Sequence, residues 1–195
     1  MNFGAVFRPA TRVDSRKIAE LFAIASGGVA EYVWNTLTPQ YPGLTPLEIG
    51  ARRYAAEEGA FSYKNCTVAD PGGEVIGMLH AFSMVEEPEE TDEATDPVLE
   101  PYARLEVPGS YYVSALAVFP EHRGKGLGTR MLELAKEQAR DRGFRQASLL
   151  VFERNGEAVE LYRRHGFKVI DRAAVVPHEA IRYAGEVLMM TATIE

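Results

Sequence analysis

Val118-Phe-Pro-Glu-His-Arg-Gly-Lys-Gly-Leu-Gly-Thr-Arg-Met131 is the stretch on which the reading of this chain turns. An apolar run, residues 111–118, enters a loop with glycines alternating at Gly124, Gly126 and Gly128, and residues 127–142 then keep helical spacing. Strand, glycine loop and helix in that order build an anion cradle. Glycine lets the backbone approach a ligand, and the first N–H groups of a helix lack internal acceptors. The helix dipole adds partial positive charge at the same point. Arg123-Gly-Lys-Gly-Leu-Gly128 reads R-x-x-G-x-G. A dinucleotide fingerprint continued from Gly126 and Gly128 would need glycine at Met131. A P-loop would need Ser or Thr after Lys125, where Gly126 stands. A glycine turn built for structural reasons alone also fits the loop by itself.

The chain has 195 residues, a formal net charge of -7 and a sequence pI of about 5.2. That length suits a single domain, residues 1–195, with a sizeable core. The acidic balance argues against nucleic acid as a partner, since duplex binding needs a basic face. Cys66 is the sole cysteine, which excludes an intrachain disulfide. No apolar run is long enough to span a bilayer, and the first residues lack the pattern of a signal peptide, so a cytoplasmic location without membrane association is expected.

Outward from the loop, residues 5–8 read as a short first strand. Thr11 and Asp14 resemble a capping box before a helix that stops at Gly27-Gly28. Residues 29–37 read as a second helical piece. Thr45-Pro-Leu-Glu48 is a stronger cap, with proline at the first helical position, and predicts a helix to about residue 58. Residues 66–69 and 75–85 read as strands joined at Asp70-Pro-Gly-Gly73. The acidic, proline-broken run from Glu86 to Glu100 reads as a loop. Leu127, Met131, Leu134 and Ala135 form the apolar face of the helix after the glycines, with Lys136, Arg140 and Arg142 as ordinary surface charges. Residues 147–151 are continuously apolar, as in a strand buried on both faces. Residues 155–165 read as a helix, and 167–174 with 186–194 as a closing strand pair.

The second informative stretch is Asn155-Gly-Glu-Ala-Val-Glu-Leu-Tyr-Arg-Arg-His-Gly-Phe167, which reads N-x-x-A-x-x-L-Y-x-x-x-G-F. With R-x-x-G-x-G upstream, the chain resembles the GCN5-related N-acetyltransferase (GNAT) superfamily, most closely over residues 111–170. The resemblance implies an α/β (α+β) fold. Its central sheet would be mixed and mostly antiparallel, splayed at strands 111–118 and 147–151, with helices on both faces. It also implies acetyl-CoA (coenzyme A) as cosubstrate, no metal, and direct acetyl transfer to an amine in a ternary complex. The pyrophosphate would lie against the N–H groups of Arg123, Gly124, Lys125, Gly126, Leu127, Gly128 and Thr129. Leu116, Ala117 and Val118 would pair through their backbone with the pantetheine arm, one N–H facing the thioester oxygen. Asn155 would bond that arm, or cap its own helix. Ala158 would keep the helix close to the cofactor. Tyr162 would donate to the departing sulfur as general acid; its packing reading is an aromatic completing a helix face. A non-catalytic acyl-CoA sensor or partner module is the alternative function.

The acceptor side is less marked. A lysine-like amine is neutral in about one molecule in 2,500 at pH 7, a deficit of roughly 4–5 kcal/mol, so the enzyme must take the rare neutral form or deprotonate the cation. Ser114 is a candidate to orient water, against a packed strand residue. Tyr32, Trp34, Tyr112 and His178 are candidate substrate residues, with Tyr41 near the first two. Aromatics more often pack, and His178 also reads as an exposed turn residue. Glu31 and Glu86 are candidate carboxylates or plain surface charges. Cys66 reads as a packed thiol. Self-association as a homodimer is a family habit.

Overall fold

The computed structural model describes residues 7–84 and 96–195. Phe7–Pro9 (β1), Cys66–Ala69 (β2), Gly77–Ser83 (β3), Tyr111–Val118 (β4), Gln146–Phe152 (β5), Lys168–Ala174 (β6) and Glu186–Thr193 (β7) form one open sheet in the order β1-β2-β3-β4-β5-β7-β6. The β1/β2, β2/β3, β5/β7 and β6/β7 pairs are antiparallel, and β4/β5 is parallel. The mixed, mostly antiparallel sheet expected from the motifs is therefore observed. The parallel register runs from Tyr111↔Ala147 to Val113↔Leu149. The helices are Ser15–Ala25 (α1), Val29–Thr36 (α2), Pro46–Tyr54 (α3), Glu100–Arg104 (α4), Leu127–Asp141 (α5) and Gly156–Arg164 (α6). The chain divides into two compact units, Met1–Ala81 with Ala115–Leu132, and Phe82–Ser114 with Glu133–Glu195.

In the first unit, the Thr11–Asp14 signal produces a 3-10 turn, Arg12–Asp14, and α1 begins only after it. Thr11 donates to Asp14 Oδ2 from its amide and its hydroxyl, at 2.7 and 2.8 Å. Arg8 binds the same carboxylate at 2.8 and 3.0 Å and Asp70 at 2.9 and 2.8 Å. The Arg8 hydrogen bonds hold the Asp14 carboxyl down at about 2, against its burial. The second capping signal forms as read. Thr45 amide and hydroxyl donate to Glu48 Oε2 at 2.8 and 2.6 Å, with Pro46 at the first helical position. α3 stops at Tyr54 rather than near residue 58. Ala56 N–H bonds back to Arg53 O in a tightened turn, and Ala56 O accepts the Ser62 hydroxyl at 2.7 Å.

Ile18, Ala19 and Leu21 of α1, Trp34 of α2, Ile49 and Tyr54 of α3, and Val68 and Met78 of the strands form the core of this unit. A Cβ built on Gly50 would fall 2.5 Å from Cζ2 of the Trp34 ring. Gly50→Ala is therefore expected to cost about 2 kcal/mol by overpacking, read as a lowered urea midpoint with an unchanged m-value.

In the second unit, β7 lies between β5 and β6. A register shift between Val169 and Asp171 turns Ile170 outward, where it is 55% exposed. α4 was not legible in the sequence. The Asp96 side chain accepts Val98 N–H at 2.8 Å in the turn that leads into it, and Pro101 fits the first turn, where no N–H is needed. The rest of the acidic run, residues 86–95, lies outside the described residues. α5, whose residues 127–132 belong to the first unit, buries Leu127, Met131, Leu132, Ala135 and Ala139, so Leu132 rather than Leu134 carries the apolar stripe. All three of its expected surface charges are engaged, Arg140 Nε donating to Glu195 O. The Arg142 guanidinium lies 5.3 Å from the centre of the Tyr111 ring, and Lys136 is half-buried.

Candidate active site

The glycine loop belongs to the first unit. β4 buries Tyr111, Val113, Ala115 and Ala117 and leaves Tyr112, Ser114 and Leu116 partly exposed on the alternate positions. A 3-10 turn, Pro120–His122, follows Phe119, and Arg123 Nε donates back to Val118 O at 3.1 Å. That bond ties the loop to the end of its strand. Gly124 and Gly126 have φ of +73 and +78, a conformation that L side chains resist. Nothing lies within 4 Å of a Cβ built on either, so backbone conformation and not crowding selects glycine there. Gly128 serves differently, within the first turn of α5. Arg130 N–H makes the first helical bond, to Gly126 O at 3.1 Å. The amides of Leu127, Gly128 and Thr129 thus precede the helical ladder, beside exposed Gly124, Lys125 and Gly126. This is a surface that receives an anion through main-chain donors.

α6 belongs to the second unit. Asn155 is its N-cap, its Oδ1 accepting Ala158 N–H at 3.4 Å. The capping role is thus filled, and Ala158 is partly buried just inside the helix. Val159 and Tyr162 form the buried face. Tyr162 is 8% exposed, with its ring 6.0 Å from that of Phe167. Burial pushes its phenol up to about 12. Delivering a proton from such a phenol to a thiolate near 8.5 is uphill by about 5 kcal/mol. Donating a hydrogen bond from the neutral phenol carries no such cost. Tyr112 is another phenol of this unit. Burial raises its pKa, with smaller contributions from Glu106 and Tyr162. The Phe82 ring meets Tyr112 edge-on at 5.5 Å.

The acceptor-side candidates are dispersed. Trp34 is 3% exposed and packed against Gly50. Tyr32 is half-exposed on α2, and Glu31 accepts the Ser26 hydroxyl at 3.4 Å. Tyr41 lies under the Arg52 guanidinium at 5.6 Å. Exposed His178 accepts Ala180 N–H on Nδ1 at 3.1 Å, a turn-stabilising bond. Ser114 is partly exposed. Glu86 lies outside the described residues. Cys66 is buried, with its thiol pushed up by that burial and its Sγ 3.8 Å from Ser62 O.

Two polar arrangements were invisible in the sequence. His80 is fully buried in the first unit, its Nε2 donating to Ala60 O at 2.9 Å. A carbonyl only accepts, so Nδ1 accepts the Tyr54 hydroxyl at 3.2 Å. Lys136 in the second unit is the other. Both partners in each pair are far apart in sequence, and no local pattern marks them. Among the described residues no group of three or more His, Cys, Asp or Glu could hold a metal, and no helix is long and apolar enough to cross a membrane.

Comparison with known proteins bears on this arrangement. The family profile described as the acetyltransferase (GNAT) family matches residues 30–167. An N-acetyltransferase of Escherichia coli, YjgM, is 30% identical over 155 residues, 71% of this chain and 89% of that protein. The thialysine N-epsilon-acetyltransferase of Sus scrofa is 32% identical over 77 residues, 40% of this chain and 44% of that protein. Among solved structures, one described as an acetyltransferase superposes with a TM-score of 0.68 over 97% of this chain and 100% of its own, at 19% identity.

Proposed function

Because the chain belongs to the GNAT family of acetyltransferases, we propose that it transfers acetyl from acetyl-CoA to a primary amine within a ternary complex. The feature that carries this reading is the loop after β4, with its left-handed Gly124 and Gly126 ahead of the first amides of α5.

Bound acetyl-CoA supplies an activated acyl carbonyl on a thiol leaving group. The amides of Gly124 to Thr129 take the pyrophosphate, at roughly 1.5–3 kcal/mol for each charge-assisted bond, while the Arg123 amide already donates to Pro120 O at 3.2 Å. The backbone of Leu116, Ala117 and Val118 aligns the pantetheine arm. Asn155 and Ala158, at the start of α6, are the arm's proposed side-chain contacts. Tyr162 stays neutral and donates a hydrogen bond to the sulfur as the C–S bond breaks and the C–N bond forms. Its high pKa favours this donor role over full proton delivery, and the thiolate takes its proton from solvent. Ser114 orients water that removes the proton from the attacking amine. Tyr32 and Tyr112, both partly exposed, stay as acceptor-side candidates, whereas Trp34 is packed in the core and His178 stabilises its own turn. The thialysine-acetylating relative makes a lysine-like side-chain amine the first acceptor to try.

Calorimetry with acetyl-CoA, followed by thiol release on a panel of thialysine, lysine, polyamines and aminoglycosides, tests the proposal. Amine-dependent thiol release supports it; binding with no turnover on any amine favours the sensor reading. Tyr162→Phe is expected to lower kcat about tenfold with the KM for acetyl-CoA unchanged. With its pKa near 12, Tyr162 should add no falling limb to the wild-type pH–rate profile below pH 10. Wild-type turnover in the phenylalanine variant would remove Tyr162 from the chemistry.

A further inference from the structure

We infer that Lys136, on α5, is a positioning residue for the Tyr162 phenol, acting through the C-terminal end of α6 and the ring of Phe167. The inference rests on the proposed role of Tyr162. Lys136 Nζ donates to His165 O, the carbonyl at the C-cap of α6. The same ammonium lies 5.7 Å from the centre of the Phe167 ring, within cation–π range. Phe167 is 2% exposed and its ring is the neighbour of Tyr162 at 6.0 Å. Its amide also bonds Tyr162 O at 3.0 Å, and His165 N–H shares that carbonyl at 3.0 Å. One cation therefore holds both the helix end that carries Tyr162 and the ring that packs against it.

The arrangement is favourable for physical reasons. The last carbonyls of a helix have no internal donor and carry partial negative charge, so a cation placed there serves as bond and counter-charge. Burial and nearby Arg140 lower the Lys136 pKa, which shows that the ammonium is held at the helix end against a desolvation cost. Lys136 also borders a groove of about 550 Å³, shared with Arg140, Gly166, Lys168 and Ile170. Its head is thus not walled into the core, and truncating it leaves no closed void. The interaction is specific to a donor cation at this point, and an isosteric apolar chain would keep the packing while losing the tether.

The test uses the full chain with 3-fluorotyrosine at position 162, in wild type, Lys136→Met, Lys136→Arg and Lys136→Gln, well below each thermal midpoint. Methionine is expected to shift or broaden the Tyr162 fluorine resonance and to lower kcat about tenfold, with the KM for acetyl-CoA within about twofold. Arginine, which keeps a charged donor, should restore both. A resonance and kcat that stay at wild-type values while only the thermal midpoint falls would overturn the inference, leaving Lys136 a stabilising residue alone. Should the methionine variant fail to fold, glutamine decides by the same readouts, since it keeps a donor and loses the charge. Tyr162→Phe with wild-type turnover would remove the catalytic premise. The fluorine signal, which needs no turnover, would still report whether Lys136 sets the phenol.

Discussion

Replacing Gly126 with valine is expected to weaken acetyl-CoA binding by roughly a hundredfold while leaving most of the fold intact. Gly126 has φ of +78, and its carbonyl accepts the first helical bond of α5. A β-branched residue is a steric outlier at that φ, at a cost of at least 1–2 kcal/mol. No neighbour lies within 4 Å of the added Cβ, so nothing but the backbone registers the change. An exposed loop relieves such strain by turning its peptide planes, and the amides of residues 124–129 then no longer face one anion together. Losing two charge-assisted bonds forfeits about 3 kcal/mol or more, which is the hundredfold. Calorimetry supplies the dissociation constant, and a thermal midpoint close to wild type separates ligand loss from unfolding.

Acid should destabilise the first unit over a defined window, with His80 responsible. Its folded pKa is lowered to about 4 by burial, against an ordinary value of 6.5. Between those values the unfolded chain binds a proton that the folded chain refuses, so stability rises with pH there. The contribution is fully present above about pH 6.5, is lost as pH falls to 4, and amounts to about 3 kcal/mol. Asp14, whose carboxyl is held at about 2, acts in a separate and lower window, losing its contribution from 3.8 downward. Urea unfolding at pH 7 and pH 4 measures the difference, and His80→Gln should flatten it. A His80 ring that titrates near 6.5 by NMR would contradict this account.

The features legible in the sequence are those in which cause and effect lie within a few residues. Thr45 and Glu48 cap α3 as their spacing says, because both partners of the box sit in one turn. Gly124 and Gly126 mark their loop because a left-handed backbone needs glycine at the position itself. The end of α3 is not marked locally, because Ser62 helps set it from beyond the helix. Thr11 and Asp14 bond as read, yet they form a 3-10 turn whose carboxylate is also claimed by Arg8 from a strand. Lys136 read as a surface charge because nothing near it in sequence names His165 as its partner. The donor half of the proposed reaction rests on motifs of the same local kind. The acceptor-side candidates lie on separate elements, and no local pattern links them.

The central claim is that the loop after β4 binds the pyrophosphate of acetyl-CoA. It is tested most directly by titrating wild type and Gly126→Val with acetyl-CoA and with S-acetylpantetheine, which carries the thioester arm without the pyrophosphate. The account predicts a loss of roughly a hundredfold for acetyl-CoA and a change within about twofold for S-acetylpantetheine. Equal losses on both ligands, or none on acetyl-CoA, would contradict it.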